Sequence, residues 1–172
     1  MRNSIIAYAL NGSTRTFATD LNNPQGLAYD GFGNLFVADQ GSGNIYKYTA
    51  DGTRTTFATG LADPGGVTFS GMALAVSEQS ADMVSRIETN GTKTAFMSFT
   101  SPGDLRFEPP NLYVLNDASL TTIAADNSTT NFLVTGPRGI AVNSLFDAFV
   151  STDSGDIVPI APDGTEGLSP LA

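Results

Sequence analysis

Two series of polar residues recur along this chain at near-constant spacing, and they are its candidates for chemistry. The first stands at the end of a short apolar run: Asp39, Glu78, Asn116 with Asp117, and Asp153. Carboxylate and amide oxygens of this kind suit a hard cation such as Ca²⁺, which takes six to eight oxygen ligands. The second is the middle position of a Pro-x-Gly-like step: Gln25, Gly65, Gly103 and Arg138. An arginine there offers a planar fork of donors that grips a carboxylate or phosphate bidentately. Asp104 stands where the other steps have glycine, so the third step is expected to differ in its backbone. Each residue also has a structural reading. An Asp or Asn heading a Gly/Ser-rich loop accepts bonds from nearby backbone N–H groups and closes the turn. Acids that recur once per unit would lie around a ring rather than converge, so the structural reading is preferred to a metal. Arg138 could likewise pair with Asp153 or Asp104 as structural glue.

What is missing constrains the chemistry further. The chain has no histidine and no cysteine. The commonest general base and transition-metal ligand is therefore absent, and Ser/His/Asp and Cys/His nucleophilic systems are excluded. Net charge is −9 with eight basic residues, dispersed from Arg2 to Arg138. A phosphate-backbone binder needs a clustered basic face, so nucleic acid is disfavoured, and an anionic membrane surface with it. Met1-Arg2-Asn3-Ser4-Ile5-Ile6 opens like a signal peptide, but the apolar run ends at Asn11-Gly12, too short for an h-region. No stretch approaches a transmembrane span. Few lysines, no cysteine and abundant Thr, Asn, Gly and Ser suit a bacterial extracytoplasmic protein.

The elements that position these residues come from an internal repeat. Turn dipeptides fall at Asn11-Gly12, Asp51-Gly52, Asn90-Gly91, Asp126-Asn127 and Asp163-Gly164, roughly 36 to 40 residues apart, close to the period of four-stranded propeller blades. In residues 21–60, Leu27–Tyr29, Leu35–Ala38, Ile45–Tyr48 and Thr53–Thr59 read as strands a to d, joined by short turns. The chain is predicted to be an all-β propeller of antiparallel four-stranded blades, about four and a half in number, over one domain at 1–172. Its units are 4–19 (partial), 21–60, 61–99, 100–135 and 136–172. The last strand of the final unit, Glu166–Pro170, reads as degenerate β. The aromatics Phe17, Tyr29, Phe36, Phe57, Phe69, Phe107, Tyr113 and Phe149 are expected between blades, and Tyr46 and Tyr48 are expected to pack on one strand face.

The run Asn23-Pro24-Gln25-Gly26-Leu27-Ala28-Tyr29-Asp30, with Gly33–Asp39 and Asn44–Tyr48 after it, resembles an NHL repeat. It is also similar to units of six-bladed propellers that include the SMP-30/gluconolactonase-like lactonases. Gly136–Asn143 repeats the opening motif. Six blades at about 40 residues each exceed this length, so the resemblance implies an incomplete ring, whose bare sheet edges invite self-association. Lactonases of this kind hold a divalent metal at the channel mouth, partly through Pro-x-Gly positions. Here those positions are Gln25, Gly65, Gly103 and Arg138, with no Asp, Glu or Asn among them. The streptogramin lyases and the NHL-type amidating lyase depend on histidines, which this chain lacks.

The strand order places both polar series on one face, the mouth of the central channel. The expected function is a non-enzymatic NHL-like module that binds a protein, peptide or glycan there, through Gln25, Asp39, Glu78, Asp104, Asn116, Arg138 and Asp153. No cofactor is expected; a bound Ca²⁺ is disfavoured, since a nearby guanidinium repels the ion that the acids attract. The alternatives are a metal-dependent lactonase-like hydrolase and a truncated propeller.

Overall fold

The computed structural model describes residues 3–161, which is where the repeat becomes visible as geometry. The Asp163-Gly164 turn and the final strand over Glu166–Pro170 lie outside the described residues. Among the described residues, seventeen strands, in chain order, make five antiparallel sheets. β1 (Ile5–Tyr8) and β2 (Thr14–Ala18) form a two-stranded sheet. β3 (Pro24–Tyr29), β4 (Leu35–Asp39), β5 (Asn44–Tyr48) and β6 (Arg54–Ala58) form the first full blade. The second is β7 (Pro64–Ser70), β8 (Ala73–Glu78), β9 (Met83–Ile87) and β10 (Lys93–Ser98). The third is β11 (Leu105–Glu108), β12 (Asn111–Asn116), β13 (Ser119–Ile123) and β14 (Thr129–Leu133). β15 (Pro137–Val142), β16 (Ala148–Thr152) and β17 (Ile157–Ile160) make the described part of the fourth. The helical segments among the described residues are two three-residue 3₁₀ turns, at Gln40–Ser42 and Gln79–Ala81. The fold is thus a β-propeller of about four and a half blades.

The inner strands stack in sequence, β3 on β7, β7 on β11 and β11 on β15, and no comparable contact joins β15 back to β3. The described blades make an open arc. Glycine sets its inner radius. A Cβ on Gly26 would stand 2.4 Å from the carbonyl oxygen of Gly65, and one on Gly66 would stand 2.6 Å from that of Gly103. Neighbouring inner strands therefore approach backbone to backbone, which only glycine permits. β3, β7 and β15 each carry a register shift in this Pro-x-Gly segment. β11, with Asp104 in the glycine position, starts at Leu105 and pairs regularly with β12.

Between blades lie apolar layers built from alternate strand residues. Phe36 is 3% exposed, and Phe57 and Phe69 meet it edge-on at 4.9 and 5.0 Å between ring centres. Phe69 belongs to the next blade, so this triplet ties the first two blades together. Leu74, Val76 and Ile87 complete the layer. Tyr48 is buried, and its ring meets Phe17 at a tilt with 5.6 Å between ring centres. Tyr29, expected in a core layer, is instead 66% exposed. It faces the β1–β2 side, where two strands cannot cover it as four would.

Deleting the Phe36 ring should cost about 3–5 kcal/mol, because a fully enclosed aromatic leaves a cavity between two blades. Chemical denaturation of Phe36→Ala against the parent protein measures it, and a loss below about 1 kcal/mol would contradict this packing. Gly26→Ala should also destabilise the fold, although it removes no contact.

Candidate functional site

The loops that gather at the channel mouth are shaped by their first residues. Asn23, Asp63, Ser101 and Gly136 each precede a proline and each adopts positive φ, from 47° to 59°. Asn and Asp tolerate this region better than most residues, and glycine occupies it freely. The bend turns each incoming loop toward the end of its own second strand. There, Gln40 and Gln79 N–H groups donate to the carbonyls of Asn23 and Asp63, both at 3.2 Å, and Asp153 N–H donates to Gly136 at 2.8 Å.

Asp39 and Glu78 do not belong to the exposed face, and both predicted binding roles are corrected. Each is 1% exposed. Asp39 accepts from Asn22 N–H at 2.6 Å and from the Ser42 hydroxyl at 2.6 Å. Glu78 accepts from Ala62 N–H at 2.8 Å and from the Ser85 hydroxyl, and pairs with Lys93 Nζ at 3.0 Å. Both carboxylates are consumed in holding the incoming loop, each accepting from one of its backbone N–H groups. Burial pushes the Glu78 carboxyl up, but Ser85, Ala62 and Lys93 together outweigh it and hold it below the usual glutamate range. Asn116 is half-buried and closes its own turn, accepting from Ala118 N–H at 3.4 Å and the Ser119 hydroxyl at 2.8 Å.

Four of the predicted residues, Asp104, Asn116, Arg138 and Asp153, come together. A cleft of about 310 Å³ opens at the mouth between the second, third and fourth blades. Asp104, Asn116, Asp117, Arg138 and Asp153 line it, with Gln79 at its edge. Arg138 and Asp153 form a bidentate pair, Nε to Oδ1 and a terminal nitrogen to Oδ2 at 3.0 Å. Their side chains are 70% and 54% exposed, so the pair is wet and orients the guanidinium more than it stabilises the fold. Asp104 reaches across the blade boundary. Its Oδ2 accepts from Ile140 N–H of the fourth blade at 3.2 Å, while Oδ1 accepts from Leu105 N–H at 2.9 Å. Burial raises its carboxyl above the usual aspartate range, only partly offset by those two N–H groups and by Arg106.

Gln25 is exposed and lies apart from the cleft, at the head of a row of amides. Its Nε2 donates to Gln40 Oε1 at 3.5 Å, and Gln40 Nε2 donates to Gln79 Oε1 at 3.3 Å. Gln40 and Gln79 were not among the predicted site residues. The signal was present, since each directly follows the buried strand-end acid of its unit. Among the described residues, no three carboxylates stand close enough to share a metal ion.

No protein-family model matches the sequence. No curated protein matches it either. Solved structures do. Virginiamycin B lyase from Staphylococcus aureus superposes with a TM-score of 0.78 at 16% identity, over 95% of this chain and 61% of its own. A chain of a nidogen/laminin complex gives 0.82 at 16%, over 92% and 67%. A gluconolactonase from Xanthomonas campestris gives 0.79 at 16%, over 94% and 67%. This chain shares the propeller fold of these proteins, the kind its repeats resemble, and spans about three fifths of the lyase and two thirds of the other two.

Glu78 generates a test by acid. Its depressed folded pKa means that its stabilisation is fully present above the ordinary glutamate value and is lost as pH falls through the lower folded value. Glu78→Gln should lose roughly 1–3 kcal/mol at neutral pH, since it weakens two bonds to a charged acceptor and leaves Lys93 without its partner. The gap to the parent should close as pH falls into the acid range, read by urea denaturation at each pH. A pH-independent gap would mean that the ionised carboxylate is not what the loop needs.

Proposed function

We propose that this chain is a non-enzymatic propeller module that binds a protein, peptide or glycan at the cleft between its third and fourth blades. The observation that carries the reading is the composition of that cleft. Arg138 is held in place by Asp153 yet exposed, and Asp104, Asp117 and the Asn116 and Gln79 amides surround it. Its unpaired guanidinium N–H groups can donate to a carbonyl or carboxylate, while the acids accept from hydroxyl, amide or ammonium groups. A mixed set of donors and acceptors on a wet surface matches the polar rim of a protein or carbohydrate interface.

Catalysis is less well supported. The histidine-to-alanine variant of the staphylococcal lyase, solved with quinupristin, is catalytically inactive, and this chain contains no histidine. The gluconolactonase likeness supports a lactonase only through the fold, which hosts many activities. The nidogen chain is part of a protein–protein complex, which is the kind of use proposed here. The reading includes no resident cofactor: the guanidinium beside Asp153 opposes a cation that the acids would draw in. It also includes weak self-association through the open ends of the arc at high concentration.

The test pairs a glycan and peptide array with calorimetric titration of Ca²⁺, Mg²⁺ and Zn²⁺ and a lactone panel. Binding to an array member that weakens about tenfold in Arg138→Ala, with circular dichroism unchanged, is the expected result. Micromolar metal binding accompanied by lactone turnover would reverse the conclusion in favour of a hydrolase. An array ligand that binds Arg138→Ala equally well would move the site elsewhere.

A further inference from the structure

The sheet β1–β2 is the outer half of a blade, and its pairing shows which half. Ile5, Ile6, Ala7 and Tyr8 face Ala18, Thr16, Arg15 and Thr14, with a register shift after Ile5. In the first full blade, Ile45, Tyr46, Lys47 and Tyr48 face Ala58, Thr56, Thr55 and Arg54, with the shift after Ile45. The two ladders have the same register, position for position, and the same shift, so β1 and β2 are a third and a fourth strand. Among the described residues, β1 has no partner along its other edge.

The consequence appears on the neighbouring blade. Leu27, Val67 and Leu105 are equivalent, each facing the matching valine of its blade's second strand: Val37, Val76 and Val114. Val67 and Leu105 pack on the blade before them and are 6% and 4% exposed, whereas Leu27 is 50% exposed. Tyr29, equivalent to the half-buried Phe69 and Phe107, is 66% exposed. Further out on the same face, Leu35, Val37 and Tyr48 are buried under Ala18, Leu21 and Phe17. The cover stops where the half-blade stops. An unfilled strip runs from the free edge of β1 to the Leu27 and Tyr29 side chains, continuous with an apolar layer already formed.

We infer that this strip is a docking site for a two-stranded antiparallel β-element with alternating apolar residues, the inner half of a blade, which pairs with β1 and covers Leu27 and Tyr29. Backbone pairing along the β1 edge supplies alignment, and the alternating apolar face supplies affinity. A second copy of this chain fits the strip poorly. Each of its described inner strand pairs already carries a third strand, so none is free to add to β1.

The probe is a synthetic peptide of residues 62–79, which holds an inner strand pair of this same chain, added to the full chain at a concentration where it sediments as a monomer. Hydrogen exchange should show new protection of amides in residues 5–8, with saturable binding read by fluorescence anisotropy of the labelled peptide. Leu27→Asp should weaken binding about tenfold or more, and Tyr29→Asp should do likewise. Both positions are exposed, so both variants should fold, which circular dichroism checks. Arg138→Ala should bind the peptide normally, which separates this site from the cleft at the channel mouth. No protection of β1, equal binding to Leu27→Asp, or equal binding by a scrambled peptide would overturn the assignment. So would a chain that remains dimeric at every dilution with β1 already protected, because the occupant would then be a second copy.

Discussion

The arc depends on how closely adjacent inner strands can approach. At Gly26 and Gly66 the backbone of one blade lies against the backbone of the next, with no room for a methyl group. That approach brings the second strands within side-chain reach of each other, which lets Phe36 meet Phe69 across the boundary. It also draws the mouth loops together, so that Gln40 of one blade hydrogen-bonds Gln79 of the next. Packing in a repeat array is a sum of such nearest-neighbour terms. A single oversized residue at this position would therefore open one boundary without unfolding the rest.

The third boundary solves the same problem with a different residue. Asp104 occupies the glycine position, and its carboxylate, not its backbone, spans to the next strand at Ile140. The spacing there is set by a side chain, and the cleft lined by Arg138 and Asp153 opens at that same boundary. The exchange carries an electrostatic cost. A carboxyl whose folded pKa is raised binds its proton more readily in the folded state, so its contribution falls as pH rises from the ordinary aspartate value toward the raised one. Glu78 behaves in the opposite sense. The two acids, one at a regular boundary and one at the irregular boundary, thus differ in kind: one stabilises when ionised, the other is tolerated when ionised.

Strands and blades were legible because turn chemistry and period-two alternation repeat with little variation, and local signals of that kind survive without tertiary information. The strand-end acids were harder. Asp39 and Glu78 look like surface residues in any single unit, and only the loop from the preceding unit, folded back through the positive φ of Asn23 or Asp63, buries them. Tyr29 failed in the reverse direction. Its spacing is that of a core residue, yet a core position needs a neighbour, and β1–β2 stop short of it. Arg138 and Asp153 sit fifteen residues apart, a pairing that the strand order predicted as one of two options and that geometry decides.

Regularity therefore separates structural acids from the candidate binding surface. Where the repeat is kept, polar side chains are absorbed: Asp39 by Asn22, Glu78 by Ala62 and Lys93. At the boundary where it is broken, Asp104 is still held by Ile140 N–H, but Arg138 and Asp153 of the next blade are left facing water. Blade packing does not require Arg138, whose equivalents are a glutamine and two glycines. Its guanidinium contacts Asp153, which is itself exposed, so neither charge is compelled by burial. An arginine fixed in orientation by a partner that contributes little to stability loses less side-chain entropy when a ligand arrives. That is a physical reason to place recognition at this boundary rather than at the more regular pair of blades, where equivalent positions are filled by the amide row or by glycine.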